Sequence, residues 1–178
     1  MTEPETSRGA HGQSADEVDR LTQAWRRERP DLDVAPMQVL SRVSRLAHHM
    51  DRARRSAFAE HGLEPWEFDV LAALRRAGDP YELSPGVLLA QTLVTSGTMT
   101  ARVDKLTARG LVSRRRDDDD RRAVRVRLTE LGKTSVDAAL EGLLVHERSL
   151  LAGLDQNERA VLGNLLRTLV LPFEDSAS

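Results

Sequence analysis

The 178-residue sequence predicts a mainly α-helical fold that contains one small β-hairpin. Aromatic residues make up 3% of the chain, so the core must consist mainly of Leu, Val and Ala, which favours helices. Apolar residues recur at helical spacing through most of the chain, whereas residues 112–128 alternate between apolar and charged side chains around a charged turn. Because a short helix precedes this hairpin, the outline is that of a winged helix-turn-helix.

The N-terminal third is predicted to hold two helices after a polar leader. Residues 1–14 are rich in Gly, Ser, Thr and Glu and are expected to be disordered. The first helix is predicted over about 16–29, where Pro30 ends it. The second helix is longer, from residue 34 to about 61, and ends at Gly62.

Two shorter helices are predicted next. Pro65 is placed to open the third helix at its first position, and the segment 78–80, Gly-Asp-Pro, breaks it. Ser84 and Pro85 cap and start the fourth helix. The order is therefore helix, helix, turn, helix and wing.

The fifth helix is the one that precedes the wing. Thr95 or Ser96 can cap its start, and Met99, Val103 and Leu106 form one apolar stripe. This spacing predicts that one face of the helix is buried and the opposite face is free.

The wing is predicted from the residues that follow Gly110, which supplies a left-handed position at the helix end. Residues 111–116 and 124–128 form the two strands. Between them, residues 117–123 are four Asp, two Arg and one Ala, a composition typical of an exposed hairpin tip.

Two further helices are predicted at the C-terminal end. The first runs over about 130–152. Asp155 and Glu158 form a capping box for the last helix, which Pro172 is expected to close. These helices carry more apolar surface than a small core can cover, so a partner subunit is expected to bury it.

Composition excludes several classes of site. The chain has no Cys, so disulfides and thiolate metal sites are excluded. No apolar run reaches the length of a membrane span and the N-terminus lacks the pattern of a signal peptide, so a soluble cytoplasmic protein without a membrane partner is expected.

Basic charge is concentrated around the hairpin although the whole chain carries −2. Residues 95–127 contain ten Lys and Arg against five Asp, a local charge of +5. Such a patch is the electrostatic signature of a nucleic-acid partner.

The chain resembles the MarR family of transcriptional regulators over nearly its whole folded length. The motifs that carry this resemblance occur in the family's order and are Leu83-Ser84-Pro85, residues 94–106, Gly110-Leu111-Val112, Asp120-Arg121-Arg122 and residues 128–132. The resemblance implies a homodimer that binds pseudo-palindromic double-stranded promoter DNA as a repressor and is released by a small ligand. It also implies a division into a disordered N-terminus (1–14), N-terminal helices for dimerisation and ligand binding (15–62), the winged helix-turn-helix (63–129), C-terminal dimerisation helices (130–172) and a tail (173–178).

The expected DNA contacts lie on the fifth helix and at the wing tip. On the helix they are Ser96, Thr98, Thr100 and Lys105, beside small residues that allow close entry into a major groove. At the tip they are Arg121 and Arg122, with Arg122 in the minor groove and Asp120 orienting it. The other arginines of the wing contact phosphates or form a solvated surface, and Asp104 on the groove side has no evident role.

The ligand constellation is implied by a finer resemblance, to the urate-responsive subgroup called UrtR or PecS. The matching positions are Trp25, Asp69, Arg102 and Arg114, with Arg115 or Arg116 as substitutes for Arg114. The implied ligand is a small anion, urate or a related purine, or another organic acid.

Three of these positions have structural alternatives. Asp69 and Arg102 both flank apolar stripes, so they are expected to pair, either as a purely structural salt bridge or as a pair that the ligand disrupts. Trp25 has helical spacing to Val18 and Leu21, so it is equally well explained as a core residue.

Three other classes of function can be compared with the sequence. His48, His49, Asp51 and His61 would suit a metal-responsive regulator, but adjacent residues of a helix point about 100° apart. No motif of an enzyme or of a cofactor site occurs, so neither catalysis nor a cofactor is expected. A nonspecific architectural DNA-binding protein is the remaining alternative.

Overall fold

The structure is a computed structural model that describes residues 15–92, 95–116 and 124–175. The chain forms two compact units, one that ends at Met50 and one that begins at Asp51. The predicted disorder of residues 1–14 and the tip residues 117–123 lie outside the described residues, as do the last three residues of the expected tail.

The described residues form a mainly helical fold with a small antiparallel sheet, which confirms the predicted fold class. The elements are, in chain order, α1 (Glu17–Glu28), α2 (Ala35–Ala59), α3 (Pro65–Arg76), β1 (Glu82–Leu83), α4 (Pro85–Thr92), α5 (Ser96–Ala108), β2 (Val112–Arg116), β3 (Val124–Leu128), α6 (Glu130–Leu150) and α7 (Gln156–Asp175).

Local capping explains where these helices begin and end. The Thr95 side chain accepts the N–H of Thr98 and caps α5, and Gly110 after that helix has a φ of 70°. Asp155 and Glu158 exchange reciprocal hydrogen bonds of 2.8 Å before α7. The predicted cap, glycine stop and capping box are thus confirmed.

The sheet has one more strand than the predicted hairpin. Its order is β1-β3-β2, with Glu82 opposite Arg127 and Leu83 opposite Val126. The extra strand was missed because two residues are too short to show an alternating pattern. It places the wing against the segment that follows α3.

The expectation that Pro172 closes the last helix is wrong, because Pro172 lies inside α7, which continues to Asp175. A proline removes one helical N–H and crowds the preceding turn. Only three residues of α7 follow it, so the helix accommodates this loss within its final turn.

The second unit contains the core. Phe58 of α2 stacks on Phe68 of α3 with ring centroids 4.1 Å apart. Around this pair lie apolar side chains of α3, α4, α5, the sheet and α6, among which the fully buried ones include Leu71, Leu74, Leu88, Met99, Leu106, Val126 and Val136. The core therefore fixes α5 and the wing to the same scaffold.

The described part of the first unit is held by polar contacts between α1 and α2. Arg42 forms ion pairs of 2.8 Å with both Asp16 and Asp19, the two residues of the α1 capping box. Gln38 donates to the hydroxyl of Thr22 at 2.7 Å.

Large apolar side chains remain exposed on the outer helices. On α2 they form a stripe with helical spacing, and on α7 every described side chain is exposed except the half-buried Leu162. The most exposed of these is Phe173, at 77%. None of the helices in the described ranges combines the length and the apolarity that a membrane span requires.

Gly132 provides a direct test of the packing between α6 and the sheet. A Cβ at this position would collide with the carbonyl oxygen of Leu111 and lie 2.9 Å from Cδ1 of Leu128. We expect Gly132→Ala to lower the free energy of unfolding by about 2 kcal/mol, because overpacking against backbone outweighs the helix propensity that alanine gains.

Chemical denaturation monitored by circular dichroism measures this loss. Gly86→Ala in α4 is the matched control, since its nearest neighbour atom lies at 3.9 Å. An equal, small effect of both substitutions would contradict the described packing of α6.

Candidate nucleic-acid interface and ligand cavity

The outer face of α5 is exposed and lined by small or polar side chains. Met99, Val103 and Leu106 are buried, as their spacing predicted. The exposed positions of α5 include the four expected helical DNA contacts Ser96, Thr98, Thr100 and Lys105. Such a face can enter a major groove without a steric barrier.

Hydroxyl groups at the start of α5 already have partners. The hydroxyl of Thr98 lies 2.9 Å from that of Thr95, and the hydroxyl of Thr100 donates to the carbonyl of Ser96 at 3.1 Å. Thr98 keeps free acceptor capacity, whereas Thr100 has committed its hydrogen to the helix backbone.

The C-terminal end of α5 is anchored to α3 by a buried carboxylate. The side chain of Glu67 is 4% exposed and accepts from the backbone N–H of Glu64 at 2.9 Å and from Nη1 of Arg109. Arg109, which follows α5 as its C-cap, also donates to the carbonyl of Gly62 at 2.8 Å. Arg109 therefore ties the end of α5 both to the turn before α3 and to the first turn of α3.

On its other side α5 is tied to the wing. Arg114 of β2 forms a 2.7 Å ion pair with Asp104 and contacts the carbonyl of Thr100 at 3.4 Å. This contact gives a structural role to Asp104, for which no role was evident from the sequence. It also gives Arg114 a partner other than a ligand or a phosphate.

Arg115 connects the wing to β1. Its guanidinium makes two hydrogen bonds to Glu82, at 2.8 and 2.7 Å, and the side chain of Glu82 is 12% exposed. The bonds from Arg115 hold the pKa of the Glu82 carboxyl below its ordinary value of 4.5, with the charges of Arg127 and Arg125 acting in the same direction. Arg115 is thus a structural residue of the wing.

Arg102 does not pair with Asp69, contrary to the expectation from the sequence. Its guanidinium lies over the indole of Trp66, 5.4 Å from the ring centroid, and Nζ of Lys105 lies 6.0 Å from the same ring. The flank of α5 that carries Arg102 faces the start of α3, where Trp66 rather than Asp69 is within reach.

Asp69 pairs instead with Arg54, at 3.2 Å, and its side chain is 48% exposed. Its position at the edge of the apolar stripe of α3 leaves the carboxylate about half in solvent. Asp69 and Arg54 line a cavity of about 330 Å³ between α2, α3 and α6. The remaining lining comprises Phe68, Ala72, Arg75, Arg76, Val136, Asp137, Leu140 and Leu143.

Arg75 joins this cavity to the sheet. It donates to Asp137 of α6 at 2.9 Å, and this bond raises the pKa of the guanidinium. The same guanidinium lies 5.0 Å from the ring centroid of Tyr81, and Lys133 lies 4.8 Å from that centroid. The carbonyl of Tyr81 accepts the N–H of Leu128 in β3 at 3.0 Å.

The remaining predicted site residues lie in the first unit or outside the described ranges. Trp25 lies in α1, in the first unit, and is 47% exposed. Asp120, Arg121 and Arg122 lie outside the described residues. Within the ranges that the structure describes, no three His, Asp or Glu side chains come together as metal ligands.

Comparison with known proteins identifies the family. Residues 61–123 match the model of the MarR family. The chain is 38% identical to the HTH-type transcriptional regulator PecS of Dickeya dadantii over 158 residues, which cover 86% of this chain and 95% of PecS. The chain belongs to the MarR family of transcriptional regulators.

Two other MarR-family comparisons agree with this assignment. The chain is 28% identical to the HTH-type transcriptional repressor YetL of Bacillus subtilis, over 82% of this chain and 88% of YetL. A mutant MarR of E. coli, solved in complex with operator DNA, has the same fold with a TM-score of 0.63 and 24% identity, over 78% of this chain and 99% of that one. The family is a class of DNA-binding regulators rather than enzymes, so the resemblance drawn from the motifs is confirmed.

The polar contacts that hold α3, α5 and α6 together were not predicted from the sequence. Glu64 and Glu67 flank Pro65 at the spacing of a capping box, so the local role of Glu67 could have been recognised. Its contact with Arg109 and that between Arg75 and Asp137 join distant parts of the chain, and no local pattern signals them.

The contact between Glu82 and Arg115 makes wing stability depend on pH. Because the carboxyl pKa is lowered on folding, its contribution is full above about 4.5 and is lost as the pH falls through the lowered folded value. We expect Glu82→Gln to cost about 1 kcal/mol of unfolding free energy near neutral pH, the net value of a hydrogen bond to a charged partner with partial exposure.

Denaturant titrations at several pH values measure this difference. The wild type and Glu82→Gln should converge as the pH falls below about 4.5. The double variant with Arg115→Gln is the control, since the coupling between the two residues must vanish in the same pH range. A difference that stays constant across that range would contradict the assigned ion pair.

Proposed function

We propose that this MarR-family chain is a homodimeric, ligand-responsive repressor that binds a pseudo-palindromic promoter site and is released by a small anion such as urate. The observation that carries the proposal is the exposed face of α5, held on one side to α3 and on the other to the wing. The name of the related repressor YetL supports the direction of regulation.

A homodimer is supported by the apolar surface on the outer helices. Val43 and Leu46 of α2 and Leu165 and Leu169 of α7 are all more than one third exposed. Exposed apolar side chains at helical spacing on each of these helices are typical of an interface. A twofold axis would also present two copies of α5, as a palindromic site requires.

DNA contacts are proposed on α5 and at the wing tip. Thr98 and Lys105 reach from the flank of α5, while Ser96 and Thr100 lie near its N-terminal end, which attracts phosphate. The wing-tip residues Arg121 and Arg122, with Asp120 proposed to orient Arg122, belong to the same proposal through the family motif that they match.

The ligand site is proposed in the cavity of about 330 Å³ beside Asp69. Arg54, Arg75 and Arg76 supply cations, and Phe68 with Leu140 supplies apolar surface for a flat ring. The ion pair between Asp69 and Arg54 joins half-exposed side chains, and such pairs contribute about 0–1 kcal/mol. A bound anion can therefore displace the carboxylate at small cost.

Arg75 gives the ligand a route to the DNA-binding surface. An anion that attracts Arg75 competes with Asp137 and draws the guanidinium away from Tyr81. Because Tyr81 is hydrogen-bonded to β3 and precedes β1, this shift would act on the base of the wing. The ligand would then favour a wing position that fits DNA poorly.

The other residues of the family pattern are secondary candidates for ligand binding. Arg102 and Arg114 would first have to leave Trp66 and Asp104. Trp25 is a candidate for stacking on a planar ligand, since its indole is exposed at 47%. Asp69 with Arg54 and Arg75 is therefore the first group to be tested.

Footprinting on the promoter region of the protein's own gene tests the function. We expect a twofold-symmetric protected site at moderate salt that disappears when urate is added. Equal binding to a random duplex would instead identify an architectural DNA-binding protein and contradict the proposal.

Two substitutions test the ligand cavity. We expect Arg54→Gln to lower the affinity for urate about tenfold, because it removes a charge-assisted contact with the anion. Asp69→Asn should raise that affinity about tenfold, because it removes the carboxylate that competes with the anion. DNA affinity without urate should be unchanged, since neither residue lies on α5 or the wing. Isothermal titration calorimetry and a gel-shift assay measure the two affinities.

Arg55→Gln is the matched control for these variants, because Arg55 of α2 pairs with Asp51 on the same helix and does not line the cavity. If Asp69→Asn and Arg54→Gln bind urate as the wild type and the control do, the cavity is not the urate site. Trp25→Phe in the same series then tests the first unit.

A further inference from the structure

Trp66 is held in one orientation at the start of α3. Pro65 is the first residue of the helix, and Trp66 follows it as a half-buried side chain. The indole Nε1–H donates to the carboxylate of Glu64 at 2.8 Å. The face of the ring is therefore fixed with respect to α5.

Two cations of α5 lie over this ring. Arg102 is 5.4 Å and Lys105 is 6.0 Å from the ring centroid, and cations within about 6 Å of an indole face are attracted to it. The two residues are three positions apart, so they share one flank of the helix. The ring thus holds two long side chains that would otherwise sample many rotamers.

This flank lies next to the outer face of α5. The outer face carries Ala101 and Ala108, opposite the buried stripe. On the other side of this face, Asp104 contacts Arg114 of the wing. A helix in a major groove has a phosphate strand along each side. With α5 in the groove as proposed, the Trp66 flank would face one strand and the wing flank the other.

Nearby carboxylates do not neutralise the two cations. Glu67 is buried and paired with Arg109, and Glu64 is engaged by the indole of Trp66. Among the described residues neither Arg102 nor Lys105 forms an ion pair. Both charges remain available to an external anion.

We propose that Trp66 is a positioning residue for DNA binding, which holds Arg102 and Lys105 as a two-cation clamp for the phosphate strand on the α3 side of the groove. The proposal rests on the proposed entry of α5 into DNA. It gives Arg102 a role in DNA binding in place of the ligand role that the family pattern implies. Because the clamp contacts phosphate, it adds affinity without sequence preference.

Salt titrations of DNA binding by the full chain test the clamp, with a promoter duplex and a random duplex as probes. Each phosphate contact contributes about 0.9 to the slope of log affinity against log salt. We expect Arg102→Gln and Lys105→Gln each to lower the slope by about that amount and to weaken binding to both duplexes equally. Arg55→Gln is the charge-matched control and should bind as the wild type.

Trp66 is tested by two substitutions in the same assay. We expect Trp66→Leu to weaken binding about fivefold, since a cation held at an exposed ring gains about 1 kcal/mol, whereas Trp66→Phe keeps a π face and most of the affinity. Wild-type affinity of Trp66→Leu would overturn the positioning role. Unchanged slopes for Arg102→Gln and Lys105→Gln would overturn the clamp itself, as would a loss confined to the urate response.

A fluorescence measurement decides the question if Trp66→Leu fails to fold. The chain has two Trp, so Trp66 is the only one left in Trp25→Phe. Addition of duplex DNA should then shift its emission as the cations move toward phosphate, and constant emission with bound DNA would overturn the proposal. If the wild type binds neither duplex, the proposed function fails with the clamp; if it binds and the variants match it, the clamp alone fails.

Discussion

The buried carboxylate of Glu67 is the constraint on which the position of α5 depends. A carboxylate that is 4% exposed is costly unless it is paired and hydrogen-bonded, and removal of one partner of such a pair is strongly destabilising. Glu67 meets this need with the N–H of Glu64 and the guanidinium of Arg109. Since Arg109 caps α5 and also binds the carbonyl of Gly62, satisfying one buried charge places the end of α5 against the start of α3.

The other contacts of α5 and the wing involve carboxylates that are more exposed than Glu67, which suits the proposed response to a ligand. Asp104 and Arg114 join helix and wing, and Glu82 with Arg115 joins the wing to β1. The exposed pair of Asp104 and Arg114 contributes little by itself, and the less exposed pair of Glu82 and Arg115 contributes about 1 kcal/mol. The proposed mechanism uses this difference: α5 stays anchored through Glu67, while a ligand beside Asp69 shifts the wing through Arg75 and Tyr81.

The sequence predicted the order of the helices and of the two hairpin strands, because most of their ends are set by local chemistry. The Thr95 cap, the left-handed Gly110 and the stripe of Met99, Val103 and Leu106 act within one turn of the chain, so their pattern is visible in the sequence. The two-residue β1 and the continuation of α7 past Pro172 were not predictable, because three-dimensional context overrides such short signals. The predicted pairing of Asp69 with Arg102 was wrong for the same reason. A sequence shows which charges need partners but not which charges are within reach.

Hydrogen exchange of the full chain, followed by mass spectrometry with and without DNA, tests most directly whether α5 and the wing form the DNA-binding surface. The account predicts that promoter DNA slows exchange in residues 96–108 and 112–128, and that urate reverses this while it slows exchange in residues 65–76. Slowed exchange elsewhere on DNA binding, with residues 96–108 unchanged, would contradict it.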